Sequence, residues 1–427
     1  MVARYARIGG KSDLAANPTA LLCLLVLVAT LAAGAPALAS GSITEYALPT
    51  VGGRPGAMTL GQGSNVWFVE GTGNKIGRIT LTGAITEFLL PTSNGGPGGI
   101  AAGPDHALWF TEGGGNKIGR LTPDGVVREF SLATTNALPA AITAGPDDNL
   151  WFTEAQGNKI GRITVTGAVT EFPLPSPDSG PGGIATGPDH NLWFTESGEV
   201  FGKPLGAAKI GRISPSGTIT EFSLPIPSSD PAAITRGTDG NLWFTERRGT
   251  IVGRITPTGM VREFPVPSAV VPAANIASGA ITLGPDGNIW FTEPSPEVNS
   301  IGRIGPDGAV SEFAIPTARS FPDGITAGPG DTIWFSEAAG NKVGKLVVAT
   351  SGQTTATGPA GTTAATGQTT GPASMPATGA GGAGAGSPGE GLPALLVGLS
   401  LVALASGWQR AAQGPVARWR DRRRERR

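Results

Sequence analysis

The chain has 427 residues but only one cysteine and two histidines, so it lacks both a disulfide framework and the usual zinc-ligand clusters. Charged residues make up 15% of it, against about 25% in typical proteins. Lys and Arg number 31 against 32 Asp and Glu, which gives no excess of positive charge for binding nucleic acid. Its 67 glycines and 37 prolines exclude a long coiled coil or helix bundle and favour many short strands joined by turns.

Residues 1–39 are predicted to be a signal peptide. A basic start is followed by the apolar run 20–33 and then by Ala37-Leu38-Ala39, the small-x-small pattern that a signal peptidase accepts. Cleavage after Ala39 would remove Cys23, which lies inside the apolar run. The mature protein would then contain no cysteine.

Three segments of different composition follow residue 347. Residues 348–391 are a Gly, Ala and Thr-rich stretch with a single charge and are expected to form a disordered stalk. Residues 392–408 are an apolar run of transmembrane character, and residues 409–427 are a basic tail expected in the cytoplasm. The order indicates a secreted protein that is anchored at the cell surface.

A sorting motif stands in the stalk. Its five residues are Met375, Pro376, Ala377, Thr378 and Gly379. Together with the apolar run and the basic tail, the motif resembles a sortase cell-wall sorting signal, with cleavage expected between Thr378 and Gly379. Met375 replaces the usual leucine, and twelve residues separate the motif from the apolar run. The alternative is a simple C-terminal membrane anchor, so the partner of the C-terminus is either a sortase or the membrane.

Residues 40–347 contain seven repeats of about 42 residues, each with four short β-type runs bounded by Gly, Pro, Asp and Asn. One tryptophan marks each repeat: Trp67, Trp109, Trp151, Trp193, Trp243, Trp290 and Trp334. This pattern predicts an all-β, seven-bladed β-propeller of four-stranded antiparallel blades. We label the strands of each blade A to D outward from the axis.

The ends of the repeat array predict how the ring closes. The strand D motif occurs at residues 43–46, before the first tryptophan, and is missing after the last repeat. We therefore expect residues 42–48 to supply strand D of the last blade by pairing with residues 343–347. Such closure removes exposed strand edges.

Loop lengths distinguish the two faces of the predicted propeller. The spacings across the A–B and C–D turns never change, whereas the B–C and D–A loops carry all the length variation, including insertions at 197–205 and 268–278. We call the face with the B–C and D–A loops the variable face and predict that it carries the binding site. The alternative is neutral drift of surface insertions. Candidate contacts on this face are Arg54, Phe201, Asp230, Arg247, Arg248, Arg319, Phe321 and Asp323.

Two residue types recur in every blade. The Glu of W-F-T-E and the basic residue of I-G-R are predicted to form structural pairs on adjacent strands; the alternative is a ring of carboxylates that holds a cation near the axis. His106 and His190 both occupy the G-P-D-H turn between strands A and B. We expect them to be turn residues on the face opposite the variable face.

The motifs G-P-D-G-N-L-W-F-T-E, G-N-K-I-G-R-I-T and I-T-E-F-P-L-P resemble the repeats of the virginiamycin B lyase family of seven-bladed propellers, over residues 42–347. The resemblance implies opening of the streptogramin B ring by elimination, with histidines and Mg²⁺. It places the working residues mostly at the x of P-x-G-I, which here are Gly56, Gly98, Ala140, Gly182, Ala232, Gly279 and Asp323.

The five family positions carried over onto this sequence hold other residues. A tyrosine of the family falls on Gly56, its histidines on Gly279 and Asp323, and its metal-binding glutamates on Phe321 and Ala338. Without an imidazole near the axis, the sequence offers no general base of near-neutral pKa. Asp323 would serve only if burial raised its pKa.

Two functions follow from these observations. The first is a surface-tethered propeller that binds an extracellular glycan, peptide or cell-wall component, as a monomer and with no cofactor or metal. The alternative is a Mg²⁺-dependent carbon–oxygen lyase acting on streptogramin B-type antibiotics, with Asp323 and Asp230 as acid/base or metal groups. A purely structural surface protein is a third possibility. The net charge of the whole chain is −1, of which the signal peptide contributes +2 and the basic tail +6. Residues 40–408 therefore carry a net charge of −9, which disfavours anionic partners.

Overall fold

The computed structural model describes residues 41–197, 207–248, 251–266 and 279–348. The predicted signal peptide, sorting motif, apolar run and basic tail lie outside these ranges, as do Phe201, nearly all of the two insertions and the predicted stalk apart from Val348. Within the described ranges, no helix is both long enough and apolar enough to cross a membrane.

Seven sheets of four antiparallel strands form the structure, which confirms the predicted propeller. A short 3₁₀ helix, Gln62–Ser64, lies in the first A–B turn. The first strand and the first three blades comprise β1 (Ser42–Ala47); β2–β5 (Pro55–Leu60, Val66–Glu70, Lys75–Ile79, Ile85–Leu89); β6–β9 (Pro97–Ala102, Leu108–Glu112, Lys117–Leu121, Val127–Ser131); and β10–β13 (Pro139–Ala144, Leu150–Glu154, Lys159–Ile163, Val169–Pro173). The remaining blades comprise β14–β17 (Pro181–Thr186, Leu192–Glu196, Lys209–Ile213, Ile219–Ser223); β18–β21 (Pro231–Arg236, Leu242–Glu246, Ile251–Ile255, Val261–Pro265); β22–β25 (Ile281–Leu283, Ile289–Glu293, Ser300–Ile304, Val310–Ala314); and β26–β28 (Pro322–Ala327, Thr332–Glu337, Lys342–Val347).

Burial within a blade follows from where each strand lies. Strand B is buried on both faces because neighbouring blades stack against it, and in blade 3 all five residues of Leu150–Glu154 are buried. Trp151 packs with Ile184, Leu192 and Phe194 of blade 4. Phe152 lies flat over strand C, where a Cβ on Gly161 would stand 2.1 Å from its ring. Only glycine fits at that position of I-G-R.

The N-terminal strand closes the ring as predicted. Strand β1 pairs antiparallel with β28, with Ser42 opposite Val347 and Ala47 opposite Lys342. Glu45 of β1 accepts hydrogen bonds from Lys342 Nζ at 2.7 Å and Thr317 Oγ1 at 2.7 Å. The chain start therefore joins the last blade through both backbone pairing and side-chain contacts.

The predicted pairing of the W-F-T-E glutamate with the I-G-R arginine was wrong. In blade 3 the register places Trp151 opposite Arg162 and Glu154 opposite Lys159, so the glutamate and arginine lie three residues apart along the sheet, about 10 Å. Arg162 instead lies beside the stacked rings of Trp151 and Phe172, with its Cζ 5.5 and 5.7 Å from their centroids.

The true ion pairs join other repeated residues. Arg162 lies 3.6 Å from Asp147 of the A–B turn, which also accepts a hydrogen bond from Trp151 Nε1. Lys159 pairs with Glu171 of strand D at 2.7 Å. His106 and His190 lie in A–B turns with left-handed φ angles of 63° and 57°, which glycine also adopts at the equivalent Gly240.

Candidate functional site

The A strands of the seven blades surround an axial cavity of about 500 Å³. Its lining includes the starts of the A strands, the B–C turn residues Gly71 and Thr72, and Arg54 of a D–A loop. The cavity therefore lies at the variable face. All seven x positions of the P-x-G-I motif line it, namely Gly56, Gly98, Ala140, Gly182, Ala232, Gly279 and Asp323.

The residue before the strand A proline has a constrained backbone in blade after blade. Its φ angle is 56° at Arg54, 50° at Leu138, 58° at Asp230 and 53° at Phe321, a left-handed conformation that is uncommon for residues other than glycine. Hydrogen bonds to the carbonyl oxygen of this residue help to hold the conformation. Asp230 O, for example, accepts a hydrogen bond from Arg247 N at 3.0 Å, so the D–A and B–C loops are tied together at the cavity rim.

Three charged residues line the cavity: Arg54, Arg247 and Asp323. Burial raises the pKa of Asp323 to about 6, although the positive charges of Arg54 and Arg247 oppose that rise. The carboxyl is therefore mainly ionised at pH 7 and mainly protonated at pH 5. The other x positions are glycine or alanine, so the rest of that ring carries no charge.

Arg247 is held in place by a carboxylate behind the cavity wall. Its Nη1 lies 3.3 Å from Oδ1 of Asp230, whose side chain is only 6% exposed. Arg248 reaches the same carboxylate at 3.9 Å but does not line the cavity, and its side chain is 47% exposed. Asp230 thus positions Arg247 without contacting the cavity itself.

The remaining candidate residues lie near the cavity but not in its lining. The carbonyl of Phe321 accepts a hydrogen bond from Ala338 N at 3.0 Å, and Arg319 lies in the preceding turn with a φ of 54°. The structure therefore brings Arg54, Arg247 and Asp323 together. It leaves Arg248, Arg319, Phe321 and Asp230 outside the lining.

A hydrogen-bonded clamp joins neighbouring blades and was not predicted from the repeat pattern. Thr153 Oγ1 accepts a hydrogen bond from Ala141 N of its own blade at 3.0 Å and donates one to Gly182 O of the next blade at 2.7 Å. The same clamp recurs at Thr111, Thr195, Thr245 and Thr292. Blade 1 has Val69 at this position, and Val69 lines the cavity. In the sequence, the threonine that recurs in W-F-T-E and its replacement by valine in W-F-V-E of blade 1 could have indicated this clamp.

The seven glutamates that end the B strands form no ring around the axial cavity, since none of them lines it. They are Glu70, Glu112, Glu154, Glu196, Glu246, Glu293 and Glu337, and all are buried. Burial raises the pKa of each to about 7. Each is therefore about half ionised at pH 7, and because none of them lines the cavity they do not supply a ring of carboxylates at the axis.

The residues of the cavity do not fit the Mg²⁺ ion that the family resemblance implies. Mg²⁺ prefers carboxylate oxygens and retained waters. The cavity offers a single carboxyl, Asp323, and two guanidinium groups that repel a cation. Across the described residues, no group of three His, Cys, Asp or Glu side chains is arranged to hold a metal.

Seven blades around a ligand-sized cavity at the variable face define, over the described residues, a seven-bladed propeller with an axial site. The profile of the Virginiamycin B lyase family matches residues 32–203 and 198–358. The chain belongs to this family.

Solved structures agree with that assignment. Selenomethionine-substituted virginiamycin B lyase from Staphylococcus aureus is 39% identical, with 73% of this chain and 100% of that chain covered and a TM-score of 0.66. A catalytically inactive histidine-to-alanine variant of that lyase, solved with quinupristin, is 38% identical over 73% of this chain and 100% of that chain, with a TM-score of 0.65. A streptogramin B lyase is 36% identical over 72% of this chain and 97% of that chain, also at 0.65. A search of curated proteins finds no match.

Proposed function

We propose that this protein is a secreted, cell-surface-anchored propeller that binds an extracellular ligand in its axial cavity without carrying out the lyase reaction. The observation that carries the proposal is the set of charged groups in the cavity, Arg54, Arg247 and Asp323, which suits recognition and includes no imidazole. The ligand is a glycan, a peptide or a cell-wall component, bound by a monomer without a metal.

The location of the two histidines supports this proposal. The Staphylococcus aureus lyase in which one histidine is replaced by alanine is catalytically inactive. Here His106 and His190 lie in A–B turns, at the ends of the blades opposite the variable face. Neither lines the cavity.

A binding assay with cell-surface extract tests the proposal. We expect alanine at Arg54, Arg247 or Asp323 to weaken retention of the ligand, because these side chains line the cavity. Alanine at His106 and His190, on the opposite face, is the matched control and should leave binding unchanged. If the cavity variants bind as well as the wild type while the histidine variants do not, the assignment of the face is wrong.

A second candidate is a carbon–oxygen lyase that opens the ring of streptogramin B-type antibiotics. Family membership and the near-neutral pKa of Asp323, about 6, favour it, since a carboxyl of that pKa is a competent acid or base. The test is incubation with quinupristin, with and without Mg²⁺, followed by chromatography and mass spectrometry. Elimination yields a linear product of unchanged mass, whereas hydrolysis adds one water. Ring opening that Asp323→Asn abolishes would support this candidate over the first.

Export and anchoring are tested at the two ends of the chain. We expect the surface-released protein to begin after Ala39 and to end at Thr378 if a sortase processes it. Mass spectrometry of the released protein measures both ends. A C-terminus that extends to Arg427 would favour the simple membrane anchor.

A further inference from the structure

The axial cavity differs in charge from the rest of the exported protein. Residues 40–408 carry −9, as derived above from the total of −1. The cavity lining has two arginines and one aspartate, so it carries +1 when Asp323 is ionised and +2 when it is protonated. A positive cavity in an acidic protein attracts an anion locally and repels a cation.

The cavity arginines are not neutralised by the cavity aspartate. Within the described parts of the chain, no ion pair of 4 Å or less joins Asp323 to Arg54 or Arg247. The Asp323 carboxylate lies against blade 1, where a Cβ on Gly56 would stand 3.4 Å from Oδ2. The Asp323 carboxylate interacts electrostatically with both guanidinium groups but forms an ion pair with neither.

Each arginine is available for a further contact. Arg54 has no ion-pair partner among the described residues, and its backbone is fixed by a hydrogen bond to Asn341 Oδ1 at 3.4 Å. Arg247 shares Asp230 with Arg248, and its own Nε is buried without a partner in the described structure. The Arg247 side chain is nevertheless 33% exposed and lines the cavity, so an incoming carboxylate can contact its guanidinium group.

We propose that the cavity binds the carboxylate group of an acidic ligand between Arg54 and Arg247, with Asp323 accepting a hydrogen bond from a donor group of the same ligand. This inference rests on the proposed binding function and names the chemistry of its ligand. A single carboxylate matches the net charge of the cavity. A phosphate dianion would exceed that charge and meet the Asp323 carboxylate as well.

The small wall residues set the shape of the ligand. Apart from Asp323, the x positions contribute only glycine or alanine, so the cavity accommodates a chain with small side groups and offers no deep apolar subpocket at this ring. A short peptide with a free C-terminal carboxylate has both the charge and the donors that this arrangement requires.

The test uses three trialanine peptides of different net charge: N-acetyl-trialanine (−1), its C-terminal amide (neutral), and trialanine amide with a free N-terminus (about +1). Calorimetry with the purified protein at pH 7.5 measures each affinity. We expect the acid to bind at least tenfold more tightly than either amide, and Arg54→Gln and Arg247→Gln each to weaken it about tenfold. Arg236→Gln is the matched control and should change nothing, because Arg236 is exposed at the far end of strand β18 and does not line the cavity.

Asp323→Asn gives the sharpest result. Asparagine keeps a side-chain oxygen that can accept the hydrogen bond and removes the competing negative charge. Binding of the acid should therefore tighten about fivefold at pH 7.5 and much less at pH 5, where the wild-type carboxyl is already mainly protonated. Weaker binding of the acid by Asp323→Asn at both pH values would overturn the inferred repulsion between the Asp323 carboxylate and the ligand carboxylate. Inorganic phosphate that displaces the acid at equal concentration would overturn the choice of a carboxylate.

The remaining outcomes separate this inference from the proposed function. If an amide binds as tightly as the acid and Arg247→Gln abolishes that binding, the carboxylate assignment is refuted. The axial cavity would still be a binding site. Absence of binding by all three peptides would refute the inference. Retention of surface extract by the same protein sample would then show that the proposed function survives.

Discussion

Replacing Glu154 by glutamine should make the protein more stable at alkaline pH. Glu154 ends strand β11 and is fully buried, and neither carboxylate oxygen has a hydrogen-bond partner in the described structure. Burial raises its pKa from 4.5 to about 7, the charge of Glu171 adds to the rise, and Lys159 opposes it. Glutamine keeps the size and shape of the side chain and removes the ionisable group.

The size and sign of the effect follow from proton linkage. Below pH 4.5 the carboxyl is protonated in both the folded and the unfolded state. Between pH 4.5 and about 7 the folded state binds more protons, so stability falls as the pH rises, and above that range the loss is complete. At about 1.4 kcal/mol per pH unit, the full loss is up to ~3 kcal/mol. Relative to wild type, Glu154→Gln should therefore gain up to ~3 kcal/mol between pH 4.5 and pH 8.

The neighbouring Glu171 provides the matched control. Although burial alone would raise its pKa, hydrogen bonds from Lys159 and Thr134 outweigh that effect and lower it. Glu171→Gln should therefore lose stability at pH 8, by about 1.5–3 kcal/mol for hydrogen bonds to a charged group. Its deficit should shrink as the pH falls through the lowered pKa.

Urea unfolding, followed by tryptophan fluorescence at pH 5 and pH 8, measures both variants. The two substitutions are chemically identical and lie on strands B and D of the same blade, so only their environments differ. If Glu154→Gln destabilises the protein at pH 8 as much as Glu171→Gln does, then Glu154 is charged and stabilised in the folded state. The reasoning from burial would then be refuted.

Three further predictions concern the scaffold, and urea unfolding measures the first two. Thr153→Val should cost about 1–3 kcal/mol because it leaves two half-buried backbone groups of the clamp without their partner. Val69→Thr should instead stabilise the protein by about 0.5–1.5 kcal/mol, and effects of the same sign in both variants would argue against the clamp. Gly161→Ala should cost about 1–3 kcal/mol or more because its Cβ would overlap the ring of Phe152, and an unchanged midpoint would contradict that packing. Removing residues 41–48 should expose the edge of β28 and promote association, visible by size-exclusion chromatography; an unchanged monomer peak would show that closure is dispensable.

The sequence was sufficient to predict the architecture and its closure. The W-F-T-E tryptophans count the blades, and the early strand D motif at residues 43–46 indicates that the chain start completes the last blade, as the pairing of Ser42 with Val347 confirms. Both inferences succeed because each strand is defined by its own local pattern. A repeated pattern needs no knowledge of distant contacts to be recognised.

Side-chain pairing was predicted less well. Glu154 and Arg162 were paired because both recur in each repeat, but recurrence does not fix which residues face one another. The antiparallel register places Lys159 opposite Glu154 and lets Glu171, from the next strand, bind that lysine. The raised pKa of the buried glutamates was also missed, because burial by a neighbouring blade is invisible within a single repeat.

The sequence by itself therefore determined the number of blades, the face that carries variable loops and the chain segment that closes the ring, because all three depend on local periodicity and spacing. Only the tertiary structure decided that Arg54, Arg247 and Asp323, from the first, fifth and seventh blades, line one cavity while Arg248 and Phe321 do not. Closing the ring brings the starts of seven distant strands to a common axis. Which side chain faces that axis depends on the left-handed turn before each strand A and on partners such as Asp230.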